Sequence, residues 1–495
     1  MDEVVSCSPL SDSLATYEAK RGRPGESTRP AYAKAGSVRA EHPPSSCYVD
    51  GVKNDALTLD DEFRLELATR RQNLRRALGD DVLVLFSAPE HVRNGDVSHP
   101  YRQDSDFYYI TGFEEPESVC ILRRKEPGFV LFVRPRDPEK EIWDGRRAGE
   151  VGAVERFGAD VAHPIGKLAE LLPDYFEDVA RVHYFFGRQN AWDRSIFDAI
   201  AAVAARRRKK VTAPTQLVNA TELLHSARRI KSSFEVAQMQ RAASVTVAAH
   251  RRALLSCRPG WTEHDLAAEL EHEFRRGGAK REAYESIVAS GDNATILHYR
   301  ENDRRMNDGE LVLIDAGTEV GYYAADLTAT FPVGSAFSPA QKHLYQLVLD
   351  AHRAALSVCR AGSTIELVHR AAFEVIRDGL AALGWISGSG EELDRAATRY
   401  FMHRTSHYLG MDVHDVGPYH TPGAALPLEP GVAITVEPGI YVQSGDLTVP
   451  VEFRGIGIRI EDDVVITHGD PLVLTRELPR EVSEIESLRR SSRSA

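Results

Sequence analysis

Cysteine is scarce in this chain, whose 495 residues include five: Cys7, Cys47, Cys120, Cys257 and Cys359. The number is odd, and no two of them have the spacing of a CxxC motif. Because disulfide frameworks and thiolate zinc sites need paired or clustered thiols, neither is expected here. The pattern favours a reducing compartment, and we expect the protein to be cytoplasmic.

Long apolar runs and a positive net charge are also missing. The chain has no run of about 18 apolar residues, so we predict no membrane span. Its first residues, MDEVVSCSPL, lack the positive start and apolar centre of a secretory signal. The net charge of −12 argues against nucleic acid as a partner, and the basic run at 206–210 is interpreted as a solvated helix end.

Changes in composition along the chain predict four segments. Residues 1–58 are rich in Ser, Pro, Arg and Ala, and we expect a disordered extension. Residues 59–222 alternate helical stretches with short apolar runs at 82–86, 107–113, 118–122 and 129–133, which are interpreted as strands of an α/β domain. A second domain spans 223–488, with a capping box formed by Ser232 and Glu235 near its start, and 489–495 is a predicted tail. The fold class is therefore α+β.

Two pairs of similar strings indicate that the second domain is internally duplicated. Residues 309–317 read GELVLIDAG and residues 431–439 read GVAITVEPG, so each apolar strand ends in an acid, Asp315 or Glu437. Residues 257–262 read CRPGWT and residues 359–364 read CRAGST, and each threonine is a predicted helix N-cap. The predicted apolar faces that follow are Leu266, Leu270 and Phe274 in the first helix and Leu367, Ala371 and Val375 in the second.

Two further acids and an arginine lie in similar contexts. Asp326 follows Asp315 across AGTEVGYYAA, so a hairpin would bring both carboxylates to the same end. In GIGIRIEDD, strand alternation places Arg459 and Glu461 on one face. Taken singly, each acid is equally explained as a turn former or a charged strand edge, and the arginine as a solvated strand residue.

Four histidines complete the candidate set. His407 lies in SHYLG, with His403 before it and His414 after it, and His298 lies in ILHY. A single histidine of this kind is more often a hydrogen-bonded core residue than a metal ligand.

The combination points to a divalent metal site formed by four carboxylates and one imidazole: Asp315, Asp326, Glu437, Glu461 and His407. Burying four unpaired carboxylates would cost several kcal/mol per ion. One divalent ion would leave a charge of −2, whereas two would balance it, and Arg459 would offset a bridging hydroxide. Carboxylate-dominated ligation favours Mn²⁺, while the imidazole leaves Co²⁺, Zn²⁺ or Fe²⁺ open.

From about residue 59 onward the chain resembles the aminopeptidase P (Xaa-Pro aminopeptidase) family, and its second domain resembles the pita-bread metallopeptidases. The resemblance rests on HPYRQDSDFYYITGFEEPE and EIWDGRRAG in the first domain. In the second it rests on ILHY, LVLIDAG, DLTATFPVG, MHRTSHYLGMDVHDVG, TVEPGIY and RGIGIRIEDD. Residues 1–58 fall outside it.

The resemblance implies a role for each candidate. Five residues match the metal ligands: Asp315, Asp326, His407, Glu437 and Glu461. In the family pattern, Asp326 and Glu461 would bridge two ions. His298 and His414 match histidines that line the substrate site and stabilise the transition state, and Arg459 matches an arginine beside the bridging glutamate. Because Glu437 is a ligand with a second oxygen available, we expect it to be the proton shuttle. His403 lies in the same motif, and we expect it to contact the substrate together with His298 and Arg459.

Three positions depart from the family pattern. Arg404 stands where glycine is frequent, and Tyr408 where tryptophan is frequent. Tyr108 also replaces a common tryptophan near the substrate channel, which leaves the preference for the first residue of the peptide open. None of the three is a ligand, so the metal site is not affected.

The implied activity is hydrolysis of the bond between an N-terminal residue and a following proline in a peptide. The nearest alternative is prolidase, a dipeptidase with the same fold and ligands. A non-catalytic binding protein on this fold would be expected to have lost ligands. The resemblance also implies a homodimer or homotetramer, with the first domain contributing to the contacts.

Overall fold

The computed structural model describes residues 61–206, 208 and 210–492. The extension predicted for residues 1–58 lies outside the described residues. The first domain contains a mixed six-stranded sheet in the order β6-β5-β4-β1-β7-β8 and a small hairpin, β2–β3. Its strands are β1 Val82–Phe86, β2 Val92–Asn94, β3 Val97–Ser98, β4 Val119–Arg123, β5 Phe129–Val133, β6 Val161–Pro164, β7 Arg181–Tyr184 and β8 Gln216–Asn219.

The strands at the centre of this sheet are buried on both faces, which explains their continuous apolar sequences. In β1, Leu83 and Leu85 face the core that continues into the second domain, whereas Val82 and Val84 face helices on the opposite side. The predicted α/β domain is therefore covered on both faces of its sheet.

The helices of the first domain are α1 Asp61–Leu78, α2 Ser105–Thr111, α3 Pro138–Asp144, α4 Gly149–Glu155, α5 Leu168–Tyr175 and α6 Asn190–Ala205. The apolar run 107–113, predicted as a strand, lies largely in α2. Asp104 caps the first turn by accepting from the Phe107 amide, and Gly112 ends the helix in the left-handed conformation. The apolar run by itself is compatible with either a buried strand or a buried helix, and these helix-capping residues favour the helix.

The predicted boundary at residue 222 falls inside a helix, α7 Thr221–Arg229. The N–H of Ala220 donates to the carbonyl of Tyr184 in the first domain, whereas Ile230 pairs with Val432 in the second. Helix α7 is therefore the connection between the two domains, and the first residue after it already belongs to the second.

The second domain contains six helices among the described residues: α8 Ser233–Ser256, α9 Glu263–Arg276, α10 Pro339–Ser357, α11 Ile365–Ala382, α12 Glu391–Thr398 and α13 Val482–Ser491. The predicted capping box of Ser232 and Glu235 is present at the start of α8. The echoed segments CRPGWT and CRAGST join α8 to α9 and α10 to α11, and Thr262 and Thr364 cap the second helix of each pair. The two helix pairs confirm the duplication.

One face predicted for the second pair is wrong. Leu367 is 54% exposed, and α11 buries Val368, Ala372 and Ile376 instead. Counted from the capping threonine, these are the positions that Leu266, Leu270 and Phe274 occupy in α9. The duplication itself therefore indicates the buried face better than the spacing of leucines in α11.

Short antiparallel sheets in the second domain contain Asp315 and Arg459, and their strands begin or end close to Asp326, Glu437 and Glu461. The strands are β9 Arg281–Glu282, β10 Ile287–Ser290, β11 Leu311–Asp315, β12 Thr318–Val320, β13 Tyr323–Ala324, β14 Thr328–Pro332, β15 His420–Thr421, β16 Ala424–Ala425, β17 Ala433–Val436, β18 Gly439–Val442, β19 Ile456–Arg459, β20 Asp462–Val465 and β21 Leu472–Val473. Short 3₁₀ turns lie at Ile165–Lys167, Gly291–Thr295 and Val451–Phe453. Within the described part of the chain, no helix combines the length and apolarity that a bilayer crossing requires.

A buried arginine links the two domains beside a candidate histidine. Arg228 donates to Asp106 of the first domain at 2.8 Å and to Asp412 and Asp415 of the second at 2.7 and 2.6 Å. Since Asp412 and Asp415 flank His414, this network holds the segment that carries the histidine. The first domain therefore helps to position the candidate site.

The tail predicted from residue 489 begins too early in the chain. Helix α13 continues to Ser491, and the side chain of Arg489 is fully buried. Its guanidinium donates to five backbone carbonyls, those of Leu254, Cys257, Pro332, Val333 and Gly334. The basic sequence predicts solvent exposure, but backbone carbonyls near the end of α8 and the end of β14 accept from this guanidinium, and they are brought together only by the fold.

Replacing Arg489 by methionine should lower the free energy of unfolding by about 3 kcal/mol, because several buried carbonyls lose their donor. Chemical denaturation measures the change. The matched control is Arg490→Met, whose side chain is 57% exposed. Equal stability of the two variants would contradict the structural role given to Arg489.

Candidate metal centre

The four candidate carboxylates come from two antiparallel strand pairs. In the first, β11 ends at Asp315, which pairs with Thr328 of β14, and Asp326 lies just before β14. In the second, β17 ends next to Glu437, and Glu461 directly precedes β20, with Val436 opposite Asp462. Each half of the domain thus supplies one acid at a strand end and one at the start of the partner strand.

The predicted convergence of Asp315 and Asp326 is confirmed by a shared hydrogen-bond partner. The hydroxyl of Tyr284 lies 2.6 Å from Oδ1 of Asp315 and 2.5 Å from Oδ1 of Asp326. The residues between the two acids form a separate small hairpin, β12–β13, rather than one long one. Because a phenol has one proton, it donates to only one carboxylate at a time.

His407 faces this cluster through one ring nitrogen. Its amide donates to the hydroxyl of Thr435, and its Nδ1 lies 3.0 Å from the carbonyl of Tyr408. Since a carbonyl only accepts, Nδ1 carries a proton and Nε2 is turned toward Asp326, 3.4 Å from Oδ2, and Glu437, 3.7 Å from Oε1. A neutral imidazole held in this way presents a lone pair to the site.

The donor atoms of Asp326, His407 and Glu461 all lie within 4.8 Å of one another. Oxygen and imidazole donors at such separations fit a divalent cation of hard or borderline character. Asp315 and Glu437 line the same two adjoining cavities, of about 490 and 170 Å³. The nine candidate residues therefore surround one continuous region of the second domain.

Two further hydrogen-bond donors, Arg459 and Thr328, orient the carboxylates. Arg459 is buried and donates to Oδ2 of Asp315 at 2.5 Å, to the hydroxyl of Tyr441 at 2.9 Å and to that of Thr328 at 3.1 Å. The Thr328 hydroxyl in turn donates to Glu461 at 2.8 Å. The arginine predicted on the same strand face as Glu461 is thus connected to both strand pairs.

The acids retain an excess of negative charge in the absence of a cation. Burial raises the pKa of Glu437 to about 7, with Asp326 and Asp315 adding to the shift, and it raises that of Glu461 well above its usual range. Burial alone would lower the pKa of His407, but the carboxylate of Asp326 raises it to about 9. The site is therefore suited to bind positive charge.

The other histidines lie around the cavities. The rings of His414 and His407 are in edge contact at 4.4 Å, and His298 lines both cavities. Nε2 of His403 lies 2.8 Å from the Tyr441 hydroxyl, and its Nδ1 donates to the carbonyl of Arg404. Burial, helped by the charge of Arg459, lowers the pKa of His403 to about 3, so its ring is neutral at ordinary pH.

Tyr284, Thr328 and Tyr441 were not predicted from the sequence. Tyr284 lies in REAYES, which resembles no metal motif, and it reaches the site only because β9 pairs with β12. Thr328 occurs within the quoted DLTATFPVG string, and Tyr441 within TVEPGIY, so both were near recognised residues. For Thr328 and Tyr441, their position within these strings was the only sequence feature that could have indicated a role in the site.

Comparisons with known proteins identify two matching families along the chain. The family model described as aminopeptidase P, N-terminal domain, matches residues 67–184. The model described as metallopeptidase family M24 matches residues 237–468, which include the nine candidate residues. The two matches follow the order of the two domains.

Whole-length relatives are similar over most of the chain. The Xaa-Pro aminopeptidase of Escherichia coli (strain K12) is 41% identical over 431 residues, covering 86% of this chain and 97% of that protein. Xaa-Pro aminopeptidase 3 of Homo sapiens is 35% identical over 445 residues, covering 86% of each. The solved structure of Pseudomonas aeruginosa aminopeptidase PepP has a TM-score of 0.85 and 48% identity, covering 87% of this chain and 99% of that one.

Removal of divalent metal should destabilise the protein more at pH 8 than at pH 5. The folded state raises the pKa of Glu437 from 4.5 to about 7, so ionisation of this carboxyl lowers the stability of the metal-free protein as pH rises from about 4.5 to 7. The pKa of His407 is raised from 6.5 to about 9, so loss of its proton lowers the stability further as pH rises through that range. A cation at 100 times its Kd adds about 2.7 kcal/mol. Thermal unfolding in EDTA and in Mn²⁺ measures the difference.

The matched control for this prediction is Glu437→Gln, which removes the titrating carboxylate. This variant should show a weaker dependence of metal-free stability on pH. An unfolding temperature that is the same with and without metal at both pH values would contradict the assignment of this cluster as a cation site.

Proposed function

The chain belongs to the Xaa-Pro aminopeptidases of metallopeptidase family M24, and from this premise we propose that it removes the first residue from peptides whose second residue is proline. The observation that carries the proposal is the convergence of Asp326, His407 and Glu461 within 4.8 Å on the wall of a cavity that would admit a short peptide. The two domain matches and their order support it.

We propose five metal ligands, with two of them shared between two ions: Asp315, Asp326, His407, Glu437 and Glu461. Two divalent ions would neutralise the four carboxylates, and Mn²⁺ is the preferred metal, with Co²⁺, Zn²⁺ or Fe²⁺ as alternatives. Bound divalent metal would supply a nucleophilic water of lowered pKa and polarise the scissile carbonyl. Tyr284 can donate to only one of Asp315 and Asp326 at a time, and a bound cation would stabilise the oxygen of the other acid.

We assign the surrounding side chains three tasks: they bind the substrate, orient the ligands and transfer a proton. Glu437 is half-buried on the cavity wall, and its elevated pKa suits it to pass a proton to the departing proline nitrogen. His298 and His414 line the cavity where the carbonyl would lie and would donate hydrogen bonds as its oxygen gains charge. Arg459 keeps Asp315 in place, and neutral His403 forms a wall that the proline ring would contact.

Proline at the second position suits this wall. A peptide bond to proline has no N–H, so the site need not provide an acceptor there. His403 has both ring nitrogens engaged, with Arg404 and Tyr441, and presents its ring to the cavity. An apolar contact edged by histidines would therefore accept the pyrrolidine ring without leaving a polar group unpaired.

Prolidase activity is the second candidate and is not favoured. The relatives from Escherichia coli and Haemophilus influenzae, which match over 86% and 83% of this chain, are Xaa-Pro aminopeptidases, and the first domain matches the aminopeptidase P N-terminal domain. A binding protein without activity is disfavoured because all five proposed ligands are present. The cytoplasmic location suggested by the cysteines stays a prediction.

The function is tested with metal-stripped protein after Mn²⁺ is restored. We expect release of arginine from Arg-Pro-Pro, and little cleavage of Xaa-Pro dipeptides. Asp326→Ala should lose metal and activity together, by at least about a thousandfold, because it removes a donor shared by both ions. Product analysis and metal content are measured on the same samples.

The matched control is Asp198→Ala, which changes an acid on α6 with a side chain 73% exposed. It should keep full metal content and activity. Cleavage of dipeptides alone would identify a prolidase, and activity of the Asp326 variant at full metal content would refute the ligand assignment.

We further propose that the chain forms a homodimer or homotetramer through its first domain. On α3, Ile142 is 80% exposed and Trp143 is 87% exposed, which is unusual for adjacent large apolar side chains. The nearby Val151 of α4 is also exposed, at 65%. A second copy of the chain is the proposed occupant of this surface.

Trp143→Ser should shift the protein toward monomers, because the tryptophan is the largest apolar group on this surface. Sedimentation velocity at several concentrations measures the change. The control is Phe197→Ser, an apolar residue 53% exposed on α6, which should keep the native assembly. A wild-type protein that is monomeric at all concentrations would contradict the proposal.

A further inference from the structure

The larger cavity extends beyond the metal cluster to a second group of polar side chains. Its inner wall contains Asp315, His407 and Glu437, and its outer wall is formed by Glu366, His369, Arg404, Tyr419 and His420. The outer residues belong to the start of α11, to the loop before His407 and to the β15–β16 hairpin. The mechanism proposed above uses none of their side chains.

Arg404 is distinctive among these residues because its positive charge has no acidic partner. Over the part of the chain that the structure describes, no carboxylate lies within ion-pair distance of its guanidinium. The neighbouring charges are engaged elsewhere, since Arg459 binds Asp315 and Glu366 faces Nε2 of His420 at 3.4 Å. An exposed arginine on a cavity wall is therefore available to an anionic group of a ligand.

A second unpaired group lies on the same wall. One carboxylate oxygen of Glu366, Oε2, is buried and has no hydrogen-bond partner in the described part of the chain. Its other oxygen, Oε1, lies 3.4 Å from Nε2 of His420, so the pair leaves the acceptor capacity of Oε2 unused. An amino-acid residue that ends a peptide carries both complementary groups, a backbone N–H and a carboxylate.

The position of Arg404 along the chain places it next to the proposed proline wall. Its backbone carbonyl accepts from Nδ1 of His403, and the next hydroxyl, that of Thr405, lies 2.9 Å from Nδ1 of His369. The wall that would contact the second residue of a substrate is therefore continuous with the wall that contains Arg404. A third residue would leave the metal cluster along this side.

We propose that Arg404 is a specificity residue that binds the C-terminal carboxylate of tripeptides of the type Xaa-Pro-Xaa. The proposal rests on the proposed function and adds a substrate class to it: short peptides with a free carboxylate after the third residue. Arginine suits this task because its planar guanidinium can engage both oxygens of a carboxylate. Glycine, which is frequent at this position in the resembling family, would provide no such group.

The test compares Ala-Pro-Ala with Ala-Pro-Ala amide, which differ only in the charge at the third residue. With Mn²⁺-loaded protein, kcat/KM should be about tenfold higher for the free acid, as expected for a partly exposed charge-assisted hydrogen bond. High salt should reduce the ratio, because screening weakens the interaction of exposed charges.

Three substitutions at this position separate charge from shape. The acid-to-amide ratio should fall to about one in Arg404→Gln and Arg404→Gly, remain above one in Arg404→Lys, and fall below one in Arg404→Glu. The matched control is Arg194→Gln, at an arginine with a side chain 82% exposed on α6, which should keep the wild-type ratio.

A wild-type ratio of one would overturn the proposal, and so would a wild-type ratio retained in Arg404→Gln. Cleavage of both peptides in either case would leave the proposed aminopeptidase activity standing. If neither peptide is cleaved with any divalent metal, the proposed function fails, and the tripeptide subsite fails with it. A direct readout is competition by the product Pro-Ala, which should bind more weakly to Arg404→Gln than to wild type.

Discussion

Burial of four carboxylates around one imidazole is the constraint on which the rest of this structure depends. Each buried anion carries a desolvation cost of several kcal/mol, and one arginine cannot balance four of them. The fold offsets part of this cost with hydrogen bonds from Tyr284, which donates to either Asp315 or Asp326, and from Thr328 to Glu461. The remaining charge is the physical reason why this cluster favours a divalent metal.

The internal duplication places two of the four acids on each of two similar strand pairs. An antiparallel pair places the end of one strand beside the start of its partner, so two acids at those positions meet without a long connection. The β11–β14 pair and the β17–β20 pair each do this once. The helix pairs α8–α9 and α10–α11 precede the two strand pairs in the same order, and their capping threonines repeat. His407 lies outside this duplicated pattern, in a loop whose next residue, Tyr408, pairs with Ile434 of β17.

The first domain contributes to the site through charge and aromatic contacts across the boundary. Arg228 holds Asp412 and Asp415 on either side of His414, and Tyr108 stacks on Tyr322 with ring centroids 3.6 Å apart. The hairpin that carries Tyr322 lies between Asp315 and Asp326 in the chain. The first domain therefore contacts both the segment around His414 and the hairpin between Asp315 and Asp326. The tyrosine at position 108, where tryptophan is common in the resembling family, is part of this buried stack.

Much of the site followed from the sequence by itself, because the acids and His407 lie in short local motifs that a strand end or a tight turn places in space. The same locality made the capping box of α8 and the duplicated N-caps predictable. The hydrogen-bond partners of the site and of the buried arginine could be identified only in the tertiary structure. Tyr284 reaches two acids through strand pairing, and Arg489 finds carbonyls that are distant in the chain. The run 107–113 became a helix because its capping residues outweighed its apolar composition. Contacts between distant segments depend on how the elements pack, and no local pattern in this sequence encodes them.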